Sequence, residues 1–242
     1  MLLAANWKMN LVHSEAHALA GEFAKMADNS HVSVIVFPPA LYSDILAKAT
    51  SDSQLQWGGQ SSNPAGAGAH TGDISASMFA SMGASWMLAG HSERRQNHAE
   101  TDSYIAQQLS AALHAGVMPI LCVGETEAQR QAGEAISVVC GQLRAALTDI
   151  SADQEIVIAY EPVWAIGTGL VAQPEDIKDM HQAIFTFMKE ELAVSYEPQI
   201  LYGGSVNASN AADILHLPHV GGALVGGASL KSEAFQAIID AA

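Results

Sequence analysis

Basic residues are scarce in this chain. Ten Lys and Arg stand against 25 Asp and Glu, a formal net charge of −15. Nucleic acid and anionic membrane surfaces require a basic face, so this balance argues against both as partners. A small anionic ligand stays open, because a cluster of backbone N–H groups with one Lys outweighs a distant acidic field. Cysteine is nearly absent too. Cys122 and Cys140 show neither CxxC spacing nor a metal-type pairing with His, which excludes a disulfide framework and leads us to expect a reduced, cytoplasmic chain. No apolar run approaches the ~18 residues of a membrane span. Met1–Ala5 is too short for the apolar region of a signal peptide and runs directly into polar Asn6. Charged residues make up only 14% while apolar residues reach 49%, which argues for a large core and against disorder.

Short apolar runs alternate with amphipathic stretches along all 242 residues. Strand-like runs fall at Leu2–Asn6, Val32–Phe37, Leu55–Gly59, Trp86–Ala89, Val117–Val123, Ile156–Tyr160, Gln199–Tyr202 and Ala223–Val225. They are continuous rather than alternating in polarity, as expected of parallel strands buried on both faces. Helical spacing between them puts Ala16, Leu19, Ala20, Phe23 and Met26 on one face. The same holds for Ile105, Leu109, Ala112 and Leu113, for Ile136, Val139, Cys140 and Leu143, and for Ile177, Met180, Ile184 and Phe187. Ser14, Thr101 and Pro174 mark helix starts. Eight strand–helix units without a Pro/Gly/Ser linker predict one α/β domain over 1–242, a single closed (β/α)8 barrel of the usual roughly 250 residues. A doubly wound open sheet is the runner-up, since local pattern does not show closure.

The most informative segment is Ala159-Tyr160-Glu161-Pro162-Val163-Trp164-Ala165-Ile166-Gly167-Thr168-Gly169. One carboxylate stands at a strand end, followed by a Pro-stiffened hinge and a Gly-rich loop able to fold over it. That order suits proton abstraction in a pocket closed to water. An isolated Glu-Pro is more often a surface turn, but three further motifs accompany it. They are Asn6-Trp7-Lys8-Met9-Asn10, then Ala89-Gly90-His91-Ser92-Glu93-Arg94-Arg95, then Tyr202-Gly203-Gly204-Ser205-Val206 with Leu224-Val225-Gly226-Gly227-Ala228-Ser229-Leu230. Together, and from end to end, the chain resembles the triosephosphate isomerase family.

The resemblance implies a TIM barrel and a cofactor-independent glycolytic and gluconeogenic isomerase. It would interconvert dihydroxyacetone phosphate and D-glyceraldehyde 3-phosphate through an enediolate. Glu161 then looks like the base, His91 like a neutral electrophile at a helix N-terminus, and Lys8 like the cation facing the developing oxyanion. Desolvation under a closed lid is expected to raise the basicity of Glu161. Asn6 is expected to orient Lys8 or touch substrate. Gly-Gly turns after the last two strands expose N–H groups to an anion, which makes Ser205, Gly226 and Gly227 phosphate ligands. By resemblance Gly167 in the lid (about 162–172) adds another N–H, and Tyr160, Glu125 and Tyr202 exchange hydrogen bonds with the lid.

Loop 60–75 is long and Gly-rich. In the family the matching loop inserts into a second subunit, which implies a homodimer with Thr71 near the partner's Asn–Lys pair. Arg94 and Arg95 read as fixed ion pairs and Glu93 as a partner for Lys8. Four positions depart from the family pattern: Leu11, Ser61, Leu170 where Lys is usual, and Gly221 before Gly222. No metal is implied; His13 and His17 with Glu15 between them read as a solvated helix face. Two alternatives remain: another phosphosugar isomerase on the same barrel, and a catalytically inactive barrel kept for phosphometabolite binding or as a scaffold.

Overall fold

The parallel strands expected from the apolar runs close on themselves. The computed structural model describes residues 1–166 and 171–242. In chain order the elements are β1 (Leu2–Asn6), α1 (His13–Asp28), β2 (Ser33–Phe37), α2 (Ser43–Ala49), β3 (Gln56–Gly59), α3 (Ala76–Ser81), β4 (Trp86–Ala89), α4 (Ser92–His98) and α5 (Asp102–His114). There follow β5 (Met118–Val123), α6 (Glu127–Gln131), α7 (Ala135–Ala146), β6 (Val157–Tyr160), α8 (Pro174–Thr186), β7 (Ile200–Tyr202), α9 (Ala211–Leu215), β8 (Gly222–Val225) and α10 (Ser232–Asp240). Each strand pairs in parallel with the next, and β1 pairs with β8, Leu2 opposite Gly222, to complete the (β/α)8 TIM barrel.

Both faces of the strands are buried, for two different reasons. Leu2, Ala4, Ile35, Phe37, Leu88, Ile120, Cys122, Val157, Ala159, Leu201 and Leu224 form one cluster that fills the barrel. Their neighbours on the opposite strand face, including Leu3, Ala5, Val34, Val36, Ile158 and Tyr160, join a second cluster with the buried stripes of the surrounding helices. Side chains alternate along a strand. Carrying the inner-face series one step further therefore lands on Asn6, the last residue of β1, after Ala4, and just past the strand ends on Glu161 after Ala159, Gly203 after Leu201 and Gly226 after Leu224. The barrel mouth is built by that step.

Most predicted elements appear within a residue or two, and two helix details differ. Ser14 does not lead α1; the helix starts at His13, where the Glu15 carboxylate accepts the Val12 N–H at 2.9 Å and leaves Ser14 inside the first turn. Ile136 shares a stripe with buried Val139 and Leu143 but is 49% exposed, because it lies in the first turn of α7. Thr101 does cap α5, accepting from the Tyr104 N–H, and Pro174 opens α8. Among the described residues no helix is long and apolar enough to cross a membrane.

Candidate active site

The ladder between β5, β6 and β7 continues past the strand ends and fixes the residue that matters most. The Glu161 N–H donates to the Val123 carbonyl at 2.7 Å, and the Gly203 N–H donates to the Tyr160 carbonyl at 2.7 Å. A Cβ at Gly124 would lie 1.7 Å from the Glu161 carbonyl oxygen, so only glycine permits this approach. Glu161 is 2% exposed. One of its oxygens accepts the Ser92 N–H at 2.8 Å, and the other lies 3.0 Å from His91 Nε2.

His91 stands just before α4, where its Nδ1 accepts the Glu93 N–H at 3.3 Å. That acceptor role leaves the ring hydrogen on Nε2, pointed at Glu161. Burial depresses the His91 pKa, but the Glu161 charge and hydrogen bond outweigh burial and raise it above its ordinary value. For Glu161 burial is again the largest influence and pushes the pKa up, as the sequence led us to expect. His91, the Ser92 N–H and Lys8 together reverse the outcome, so the carboxyl is held below its usual range.

Lys8 leaves β1 in the left-handed region with φ 51°. Its backbone is held from both sides: the Asn6 side-chain oxygen accepts the Lys8 N–H at 3.0 Å, and Gln60 Nε2 donates to the Lys8 carbonyl at 2.9 Å. Its ammonium pairs with Glu93 at 2.6 Å. The stem of Lys8 passes Gly226, where an added Cβ would meet Lys8 Cε at 3.4 Å. Ser229, fully buried, donates to the Gly226 carbonyl at 2.6 Å and fixes the turn that follows β8. After β7, Ser205 Oγ donates to the Ala165 carbonyl at 3.1 Å, and Asn210 Nδ2 donates to the Ser205 carbonyl at 3.0 Å.

These groups meet in one cavity of about 420 Å³. Asn6, Lys8, His91, Glu161, Ser205, Gly226 and Gly227 all line it. Gly167 lies outside the described residues, as does Leu170. Sequence reasoning missed three contributors. Ile166 and Asn207 also line the cavity, and Ser92 holds the carboxylate through its backbone. Ser92 was inside a recognised motif, but a backbone donor leaves no signature in residue type.

Behind the cavity, Glu125 anchors the start of the expected lid. Fully buried, it accepts from Trp164 Nε1 at 2.7 Å, the Tyr160 hydroxyl at 3.1 Å and Arg130 at 3.2 Å. Arg130 also pairs with Asp176 and stacks over the Trp164 ring at 4.7 Å. Among the described residues the Tyr202 hydroxyl has no hydrogen-bond partner, and it lies close to the hinge: a Cβ at Gly204 would lie 2.2 Å from that hydroxyl and 3.0 Å from Pro162. Arg94 and Arg95 form the expected ion pairs, with Glu100 and Asp102 at 2.6 Å each.

A carboxylate, a ring N–H, an ammonium and two glycine turns around one cavity suit proton transfer on a small anionic carbon acid. Residues 1–242 match the family described as Triosephosphate isomerase. The chain is similar to the triosephosphate isomerase of Hahella chejuensis, 45% identical over 242 residues that cover 100% of this chain and 98% of that protein. It is also similar to those of Caulobacter vibrioides, 46% identical and covering 99% of this chain and 96% of the relative, and Bradyrhizobium diazoefficiens, 44% identical and covering 98% and 95%.

Proposed function

The chain belongs to the triosephosphate isomerase family, and from that premise we propose that Glu161, His91 and Lys8 carry its reaction. The enzyme is an aldose–ketose isomerase that interconverts dihydroxyacetone phosphate and D-glyceraldehyde 3-phosphate by proton transfer through an enediolate. The observation that carries the residue assignment is the 3.0 Å contact between the Glu161 carboxylate and His91 Nε2, both buried at the floor of the cavity.

Glu161 removes a proton from the carbon beside the carbonyl and returns it to the neighbouring carbon. His91 donates from Nε2 to the carbonyl oxygen and moves the hydroxyl proton between the two oxygens. Lys8 opposes the negative charge that develops there. For chemistry to start, substrate has to come between Glu161 and its two present donors. Separation from His91 and the Ser92 N–H removes influences that hold its pKa down and leaves burial, the largest influence, which raises it, opposed by Lys8. The base therefore strengthens as substrate replaces its partners. Asn6 orients Lys8, while Ser205, Gly226 and Gly227, together with Gly167, hold the phosphate.

Residues 1–242 act as one catalytic domain, a reading supported by the β1–β8 pairing that closes the barrel across the ends of the described chain. The working unit is a homodimer. Loop 60–75 is pinned at its base by the Asn63 N–H on the Ile74 carbonyl at 2.8 Å, while its tip through Thr71 is exposed. A second cavity of about 410 Å³ opens on the far side of Lys8, beside Met9, which is 94% exposed. A partner's loop fits that need. The reduced state of Cys122 and Cys140 suits the cytoplasm.

The test of the residue assignment is turnover of glyceraldehyde 3-phosphate in a linked dehydrogenase assay, with Glu161→Ala alongside. Removing a general base costs about 10²–10⁴ in rate, so a variant that keeps wild-type kcat would overturn the assignment. The inactive-barrel alternative has no observation in its favour, since base, electrophile and cation are all present and converge.

A further inference from the structure

Among the buried ionisable side chains that take no part in this chemistry, one stands out. His181, on α8, is completely enclosed. Its Nδ1 lies 3.1 Å from the carbonyl oxygen of His219, in the turn before β8. A carbonyl only accepts, so Nδ1 carries the hydrogen and Nε2 a bare lone pair. Among the described residues that lone pair is buried without a partner. Burial keeps the ring neutral and pulls its pKa down to about 4. An unsatisfied polar ring is a poor choice for filling space, because desolvating it costs free energy that a leucine of similar volume would not.

Its neighbours are what set it apart. The His181 ring meets Tyr160 nearly perpendicularly, with centroids 5.9 Å apart, and Tyr202 at 6.5 Å. These tyrosines end β6 and β7, immediately before Glu161 and Gly203. Tyr160 continues to Glu125 and so to Trp164 at the lid stem. Tyr202 lies under Gly204 and beside Pro162, with its hydroxyl buried and, among the described residues, without a hydrogen bond. A single ring thus backs both strand ends that deliver the base and the turn after β7.

We propose that His181 is a positioning residue for the isomerisation: tethered to the His219 carbonyl, its ring braces Tyr160 and Tyr202 and thereby fixes Glu161 and the 203–205 turn relative to each other. The proposal rests on the assignment of Glu161 as base and of that turn as a phosphate site. The tether sets the ring's orientation and the ring sets the tyrosines, so losing either loosens both strand ends together.

His181→Phe keeps a ring and removes the tether; His181→Ala removes both. The readouts on the full chain are kcat and competitive inhibition by inorganic phosphate, both well below its Tm, and thermal melting. Misplacement of catalytic groups by a fraction of an ångström costs rate steeply. We expect His181→Phe to lower kcat about tenfold and raise the phosphate inhibition constant by a similar factor, with His181→Ala worse in both. A purely structural residue would lower Tm and leave both parameters of the folded enzyme alone. That result in His181→Phe overturns the proposal even if His181→Ala fails to fold. Glu161→Ala and phosphate inhibition of the unsubstituted enzyme are the controls. If Glu161→Ala keeps its turnover, or phosphate does not compete, the site assignment has failed and the bracing falls with it, a different outcome from a silent His181→Phe.

Discussion

His91 Nε2 and Glu161 Oε1 stand 3.0 Å apart, with the Ser92 N–H completing the hold on the carboxylate at 2.8 Å. The two residues proposed to act in sequence on a substrate are thus bonded to each other in this structure. Their mutual hold raises one pKa and lowers the other, and several consequences are measurable.

The pH dependence of stability carries a definite sign. A His whose folded pKa is raised binds its proton more tightly in the folded state than in the unfolded one. Its contribution is complete below the unfolded value of about 6.5 and is lost as pH rises through the raised value. The Tm difference between wild type and His91→Gln should therefore grow as pH falls from about 8.5 to about 6. A difference that is flat or shrinks over that range sinks the ion-pair account. Activity runs the other way if His91 is the neutral electrophile proposed: kcat/KM should fall on the acid side with an apparent pKa above about 6.5.

His181 gives the opposite slope. The unfolded chain takes up a proton near pH 6.5, while the folded ring resists to about 4. Stability should fall as pH drops through that window, by on the order of 3 kcal/mol in all. His181→Phe, which has nothing to protonate, should flatten this part of the melting profile; an unchanged slope would show that other groups cause it.

Gly227 has nothing within 4 Å of where a Cβ would stand. Gly227→Ala should therefore leave stability within about 0.5 kcal/mol. If the turn approaches phosphate closely, the methyl group obstructs the anion and KM should rise about tenfold, a loss of roughly 1.4 kcal/mol. Wild-type KM in a stable variant would remove Gly227 from the phosphate site.

Trp164→Phe removes the Nε1–H that Glu125 accepts at 2.7 Å. Loss of a donor to a buried carboxylate should cost about 2 kcal/mol, a Tm drop of about 4 °C for a chain of this size. A melting curve superimposable on wild type would mean that Tyr160 and Arg130 hold Glu125 unaided.

The proposed dimer is checked by sedimentation at micromolar concentration, where a mass of two chains is expected. Thr71→Trp in the exposed loop tip should weaken association and, through the neighbour's Lys8, raise KM. A single-chain mass with full activity would rule out any part for the loop in the partner's site.

Much of the site was legible because its parts are short and local. Glu161 directly follows an apolar strand, and strand periodicity alone sends it to the inner face with Asn6, Gly203 and Gly226. Helix faces were readable for the same reason, down to Ile177, Met180 and Ile184 on α8, all buried. Local pattern failed where a neighbour decided the outcome. Ser14 is a good cap residue, yet the Glu15 carboxylate takes the Val12 N–H and the helix starts at His13; Ile136 fits its stripe but, in the first turn of α7, is still exposed. The expected rise in Glu161 basicity accounts for burial but not for His91, the Ser92 N–H and Lys8, which together hold its pKa down.

The amino-acid sequence by itself determined the order of strands and helices, the buried faces, and which side chains stand at the strand ends. All of these depend on spacings of a few residues. Only the tertiary structure decided that β1 meets β8, that Lys8 takes a left-handed turn between Asn6 and Gln60, that His91 and Glu161 pair across 70 residues of chain, and that His181 stands behind both Tyr160 and Tyr202. Those relationships join residues distant in sequence. They arise from barrel closure and burial, which local spacing does not encode.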